Sequence, residues 1–357
     1  MQDFKNENEC FIIAEAGSNW KCGSYEEDLN QGKKLIEIAA NSGVNAVKFQ
    51  TYKSKTIYVE DAGISNYLSE IGNNQKINDI FEYLSMPYEM IPELAKFCRE
   101  KNILFMSTPF SIDDAIAVDP FVKIHKIASF EINHIRLLEF LAKTGKPIIL
   151  STGASTYDDI DFGIECLKQN GCNDITLLQC TSKYPCSPNS LNLSTIPEMH
   201  ARYNFPVGFS DHSENPILAP TVAVSLGATV VEKHFTIDKN LPGPDHKFAL
   251  TPDELKLMVQ TIRTTEQTLG TGKKIILDVE EELHKFATRS IQAIKNIEKG
   301  DELIEGFNFD VLRPGNRKRG LPGRFVTKVN KKFATEKINK GDGITYDNFD
   351  HSDLHIE

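Results

Sequence analysis

Over residues 1–270 the chain alternates short apolar runs with longer amphipathic spans, and this alternation limits the fold more than any other feature. The apolar runs are Phe11 to Ala16, Ala46 to Tyr52, Ile103 to Phe110, Val122 to Ser129, Pro147 to Gly153, Ile175 to Thr181, Pro206 to His212 and Val230 to Thr236. Spans of helical length separate them, among them Leu29 to Ser42, Tyr88 to Lys101, Tyr157 to Asn170 and Pro252 to Leu269. The last opens on Thr251 as N-cap, with Pro252 at the first helical position and Glu254 at the third. Eight strand–helix units over about 260 residues is the count of an α/β (β/α)8 TIM barrel.

One insertion interrupts the pattern, Lys53 to Pro87, long and polar, with Ile71-Gly72-Asn73-Asn74-Gln75 at its centre. A barrel loop of that length is expected to line or cover the site. Past residue 270 the pattern changes. Residues 271–288 read as a linker, and from Arg289 to the end at residue 357 short β-like runs with tight turns predict a small second domain. Ile297-Glu298-Lys299-Gly300-Asp301 recurs as Ile338-Asn339-Lys340-Gly341-Asp342, each followed by a phenylalanine, Phe307 and Phe349, which predicts two related halves.

In such a barrel the reactive groups stand at the C-terminal ends of the strands, and here those ends are polar. Two lysines, Lys48 and Lys126, and a set of hydroxyls face one mouth. Phosphate needs positive charge and several donors, so Lys126 with Thr108, Ser129, Ser151 and Ser210 forms the expected anion site. The seventh and eighth runs each end beside a histidine, His212 and His234, which makes these two a candidate metal pair. Two protein ligands leave positions for water or substrate oxygen, and Mn²⁺, Zn²⁺, Fe²⁺ and Co²⁺ all suit them. Glu15, Glu131 and Asp245 are the acidic candidates for proton transfer or hydroxyl binding, Asp245 on the rigid loop Leu241 to Lys247.

The formal charge of −10 argues against nucleic acid as a partner. Seven cysteines without a Cys-x-x-Cys pair point to a reducing compartment. The polar start Met1 to Glu7 and the lack of a run of roughly 18 apolar residues predict a soluble cytoplasmic protein with no membrane span.

At the strand ends the chain resembles the sialic acid synthase family. The phrases that carry the resemblance are Ile13 to Asn19, Val47-Lys48-Phe49-Gln50, Lys126-Ile127-Ala128-Ser129, Leu150 to Gly153, Cys180 to Pro185, Gly208 to Ser213, Glu232 to Thr236 and Gly243 to His246. Leu312-Arg313-Pro314-Gly315-Asn316 resembles the family's antifreeze-protein-like (SAF) domain, and several stretches are most similar to the branch concerned with spore coat polysaccharide.

The resemblance implies a metal-dependent transferase that joins phosphoenolpyruvate (PEP) to an N-acetylmannosamine-like aldose, giving a nine-carbon 2-keto-3-deoxy sugar acid and phosphate. It implies Mn²⁺ on His212 and His234, with Mg²⁺, Co²⁺, Fe²⁺ or Zn²⁺ as alternatives. Glu15, Lys48 and Lys126 would serve catalysis, while Gln50, Glu131, Tyr184 and Asp245 would contact the sugar. Arg313 would reach the sugar from the partner subunit of a domain-swapped homodimer.

Where the family reads Asn-His-x-Gly, this chain has Asn19-Trp20-Lys21-Cys22-Gly23, which sets Trp20 near the expected sugar site. Arg317, Lys318 and Arg319 add charge that fits either an acidic substrate or a solvated loop. Two other readings compete. One is a Schiff-base aldolase or lyase with Lys126 or Lys48 as nucleophile; the other is a non-catalytic sugar-binding or assembly factor.

Overall fold

A computed structural model describes residues 9–64 and 75–350. Ile71 to Asn74, at the centre of the insertion, and the polar start Met1 to Glu7 lie outside the described residues. The chain divides into two compact units, Met1–Gly270 and Thr271–Glu357.

The first unit is a (β/α)8-type barrel. Its strands are β1 (Phe11–Gly17), β2 (Ala46–Thr51), β3 (Leu104–Pro109), β4 (His125–Ile127), β5 (Ile148–Ser151), β6 (Ile175–Cys180), β7 (Val207–Asp211) and β8 (Val230–His234). All neighbours pair in parallel, in the order β3-β2-β1-β8-β7-β6-β5-β4. The β1–β8 pairing curls the sheet round on itself, and a seam remains between β3 and β4. Each expected apolar run coincides with one strand; β1 runs one residue past its run, to Gly17, and the other seven are shorter than theirs. The helix Pro252–Leu269 starts as its sequence requires: Thr251 Oγ1 accepts from Glu254 N, and Glu254 Oε2 accepts from Thr251 N at 2.8 Å.

Strand periodicity places the site. Outward positions such as Ile12, Ala14, Val47, Phe49 and Val231 pack on the helices. Inward positions Phe11, Ile13, Ala46, Met106, Ile124, Ile149, Leu178 and Val230 form an apolar plug across the barrel. β7 contributes Gly208 here because a Cβ would stand 2.5 Å from the Val230 carbonyl oxygen and 2.7 Å from Leu178 Cδ2. Two residues further along, each strand must again point inward. Those positions are Glu15, Lys48, Thr108, Lys126, Ser151, Cys180, Ser210 and Glu232, all buried.

The described part of the insertion is ordered around a small core of its own. Helices Ser54–Ile57 and Ile77–Tyr83 gather Ile77, Ile80 and Leu84 against Tyr52, with Phe110 beside them.

In the second unit β9 (Ser290–Ala293) pairs antiparallel with β10 (Phe309–Leu312). The repeated phrases meet each other: Ile297 N donates to Ile338 O and Ile338 N to Ile297 O, both at 2.9 Å. Gly300 and Gly341 hold matching left-handed turns at φ 90° and 89°. The aromatic match differs from the expectation. Phe307 is 57% exposed, whereas Phe309 and Phe349 are buried, each preceded by a buried asparagine, Asn308 and Asn348. Burial against the shared core selects Phe309 as the partner of Phe349.

Candidate active site

Inside the barrel mouth Lys48 Nζ lies 2.6 Å from Glu15 Oε2, 3.6 Å from Glu232 Oε1 and 3.0 Å from Thr108 Oγ1. Gln50 Nε2 donates to the other Glu15 oxygen at 2.8 Å. Two carboxylates thus share one ammonium, and their environments push them apart. Burial raises Glu15, and the Glu232 charge adds to that against the pull of Lys48. Burial also acts upward on Glu232, but the Lys126 and Lys48 charges outweigh it and hold Glu232 below its ordinary value. One carboxyl poised to carry a proton beside one held ionised is the pattern of an acid–base pair.

Lys126 is buried and has no carboxylate in ion-pair contact among the described residues. Its ammonium donates to Ser151 Oγ at 2.7 Å and to the Ile127 carbonyl at 2.9 Å. Burial holds its pKa below the usual lysine value. Ser129 Oγ accepts from Gly153 N at 2.9 Å, and a Cβ on Gly153 would stand 2.9 Å from both Ser129 Oγ and Cys180 Sγ and 2.3 Å from Ser182 Oγ. Glycine is what lets these three side chains approach the backbone so closely. Ser182 Oγ is buried without a hydrogen-bond partner. A buried ammonium with no ion-pair contact and an unpaired hydroxyl are demands that an anion could answer.

The two histidine rings sit 5.7 Å apart, centroid to centroid. His212 Nδ1 is 2.8 Å from the Thr181 carbonyl, a contact that requires the proton on Nδ1 and leaves Nε2 free as a ligand. His234 Nδ1 is buried with no hydrogen-bond partner. Burial, with help from His212 and Lys48, keeps the His234 pKa well below 6.5, so the ring is neutral as a ligand must be. These residues fit a divalent ion. Among the described residues no group of three or more His, Cys, Asp and Glu side chains has ligand spacing, so the protein would offer two ligands and leave the rest to oxygen.

Asp245 closes one side. Its Oδ2 accepts from Ser18 Oγ at 2.9 Å and Ser18 N at 3.2 Å, and lies 4.0 Å from His234 Nδ1. The approach depends on Gly17, at φ +52°, where a Cβ would stand 2.7 Å from that oxygen. Tyr184 covers both imidazoles, 4.0 Å from the His212 ring and 5.9 Å from the His234 ring. Glu131, on the short turn Ser129–Glu131, is pushed up to about 7 by burial. Burial raises Tyr58 of the insertion, and the Glu131 charge raises it further. Ser210 Oγ sits 3.4 Å from Glu232 Oε1.

A family model matches residues 35–274, most of the barrel unit, under the description NeuB family. The chain belongs to the NeuB family. Spore coat polysaccharide biosynthesis protein SpsE of Bacillus subtilis is 40% identical over 355 residues, covering 94% of this chain and 92% of that protein. Its crystal structure superposes with a TM-score of 0.62 over 96% of each chain. The N,N'-diacetyllegionaminic acid synthase of Campylobacter jejuni is 38% identical over 337 residues, covering 93% of this chain and 98% of that protein. The N-acetylneuraminic acid synthetase of Leptospira borgpetersenii, solved with citrate, matches with a TM-score of 0.67 and 33% identity over 77% of this chain and 90% of that one.

Two expectations change. Trp20 is 1% exposed and packs in the layer between barrel and helices, so its ring faces the core, not the sugar site. Arg317 pairs with Asp342 at 3.0 Å, and Arg319 Nη1 contacts His284 Nε2 at 3.2 Å, so both spend their charge inside the second unit. Arg313 is exposed just after β10 in the second unit. Four residues of the site went unassigned in the sequence: Glu232, Cys180, Ser182 and Ser18. Glu232 was legible, because it lies two residues before His234 on one strand and must share its inward face. Cys180 Sγ lies 3.9 Å from His212 Nδ1 and follows the same rule on β6. Ser182 and Ser18 lie beyond strand ends, where no period operates.

Proposed function

We propose that this chain condenses PEP with an N-acetylmannosamine-like or 2,4-diacetamido aldose, giving a nine-carbon 2-keto-3-deoxy sugar acid and phosphate. The observation that carries this reading is Lys126, a buried ammonium bonded to the Ser151 hydroxyl and the Ile127 carbonyl with no carboxylate in ion-pair contact among the described residues. Lys126, Thr108, Ser129, Ser151 and Ser210 hold the phosphate, joined by Ser182. A divalent ion on His212 and His234, Mn²⁺ by preference, supplies Lewis-acid polarisation of the aldehyde oxygen.

PEP carbon 3 then bonds to the aldehyde carbon, and the electron pair of that carbonyl moves to its oxygen. Water adds at carbon 2, handing a proton to Glu15, whose raised pKa suits it to accept and return one. The tetrahedral species collapses to the ketone as the carbon–oxygen bond to phosphate breaks. The two protons of the water end on the new hydroxyl and on the phosphate. Lys48 stabilises the carboxylate side of this sequence, while Gln50, Glu131, Tyr184 and Asp245 orient the sugar.

The mutual bonding of the two repeated phrases supports an SAF-type second domain. A domain-swapped dimer with Arg313 reaching the partner subunit's sugar completes the proposal. Seven free cysteines and the lack, among the described residues, of a helix long and apolar enough to cross a membrane are consistent with work in the cytoplasm.

The test is incubation with PEP, Mn²⁺ and a panel of 2-acetamido and 2,4-diacetamido hexoses, following phosphate release and product mass together. Matched release and product are expected for one of them; release with none sinks the amino-sugar reading. The lowered pKa of Lys126 is what a Schiff-base lyase would also need. Borohydride trapping with pyruvate, in activity indifferent to chelator, would favour that lyase instead.

A further inference from the structure

Lys233 lies between Glu232 and His234 on β8, so the strand period turns it away from the barrel interior. That outer face is apolar, with Val231 fully buried against the helix layer. A lysine buried there, 2% exposed, requires partners for its charge and all its donors. It has them. Nζ lies 2.5 Å from Asp211 Oδ2, 2.6 Å from the Ser213 carbonyl and 3.3 Å from Ser213 Oγ. The other Asp211 oxygen accepts from Ser213 N at 2.7 Å.

The partners are the two residues that flank His212. The residue immediately before one histidine is therefore bonded to both neighbours of the other, and the bonds close a ring around the turn that carries His212. The His212 carbonyl is fixed as well, accepting from Cys186 N at 2.8 Å. The backbone pairing of β7 with β8 ends at Asp211 and Lys233, and past that point this side-chain ring supplies the hydrogen bonds between the two strand ends among the described residues.

We propose that Lys233 and Asp211 are positioning residues, a clamp on the outside of the barrel that sets the spacing of His212 and His234 and with it the affinity for the divalent ion. The inference rests on the metal-dependent reading above. A buried pair placed only for stability would be replaceable: exchanging both members for apolar residues is often neutral for stability, whereas removing one strands a charge. The double variant Lys233→Met/Asp211→Leu separates the two roles.

The experiment is calorimetric titration of Mn²⁺ into the full-length protein without PEP or sugar, with melting temperature recorded for every variant. The parent is expected to bind Mn²⁺ and His212→Ala to lose that binding. The double variant is expected to melt near the parent yet bind Mn²⁺ about 10- to 100-fold more weakly, as when a group that orients a ligand is lost. Its KM for the metal rises, while kcat at saturating Mn²⁺ returns towards the parent value. Should the double variant not fold, Lys233→Gln/Asp211→Asn, which keeps polar side chains of similar shape and strands no charge, takes its place with a loss of about tenfold. Mn²⁺ affinity equal to the parent in a folded variant, beside a clear loss in His212→Ala, overturns the clamp alone. Absence of Mn²⁺ binding by the parent overturns the metal reading and the clamp with it.

Discussion

Ile13, Ala46, Met106, Ile124, Ile149, Leu178 and Val230 fill the lower part of the barrel interior, and Glu15, Lys48, Thr108, Lys126, Ser151, Cys180 and Glu232 stand two residues further along the same strands. The step between these levels is about 6.6 Å along each strand. Below, apolar side chains pack so closely that β7 must contribute glycine. Above, the same backbone holds lysines, carboxylates and hydroxyls that satisfy one another only in part, with Lys126 lacking an ion-pair contact among the described residues and Ser182 Oγ lacking a hydrogen-bond partner. The lower level gains from burial without needing direction, whereas the upper one keeps unmet demands that a ligand can answer. Stability should reside in the first and chemistry in the second.

The sharpest way to break that division is at the histidines. His212→Ala should lower kcat/KM for phosphate release by about 10³-fold or more, since losing several kcal/mol of Lewis-acid stabilisation corresponds to that factor, while the unfolding midpoint stays near the parent's. A large loss of stability with activity per folded molecule retained would refute the division.

The Glu15–Lys48 pair tests the upper level from within. Lys48→Met alone leaves two buried carboxylates without their ammonium and should cost about 3–5 kcal/mol in denaturant unfolding. Adding Glu15→Gln should recover much of that stability and none of the activity. Recovery of turnover in the double variant would remove Glu15 and Lys48 from the catalytic set.

In the plug, Met106→Ala should cost about 2–5 kcal/mol by opening a cavity, with kcat unchanged in the molecules that remain folded. A drop in kcat larger than the drop in folded fraction would show that the levels are coupled.

The smallest effect concerns Glu131, whose carboxyl is raised to about 7 from an ordinary 4.5. A raised acid binds its proton more tightly in the folded state, so its contribution is fully present below the unfolded pKa and is lost as pH rises through the folded value. The melting temperature of the parent relative to Glu131→Gln should therefore fall between about pH 4.5 and 7. A flat difference across that window would count against a buried Glu131.

Much of this was legible without coordinates because strand and helix periods are local. The alternation of apolar runs specified eight strands, and a period of two specified that Glu15, Lys48 and Lys126 face inward above an apolar layer. The cap on Pro252–Leu269 was readable for the same reason, since its bonds join residues three apart. Trp20 was not readable: its setting beside Asn19 suggested the ligand pocket, but only the packing of helices on the barrel decides which side of that turn is core.

What the sequence determined by itself was the order of elements, the inward residues and the kinds of chemistry they could support. The tertiary structure decided which of them meet. Glu232 shares Lys48 with Glu15, and Lys233 binds both neighbours of His212, only because barrel closure fixes the register between strands far apart in the chain. A period repeats along one strand and carries no information about its neighbour's register, which hydrogen bonding across the whole closed sheet must supply.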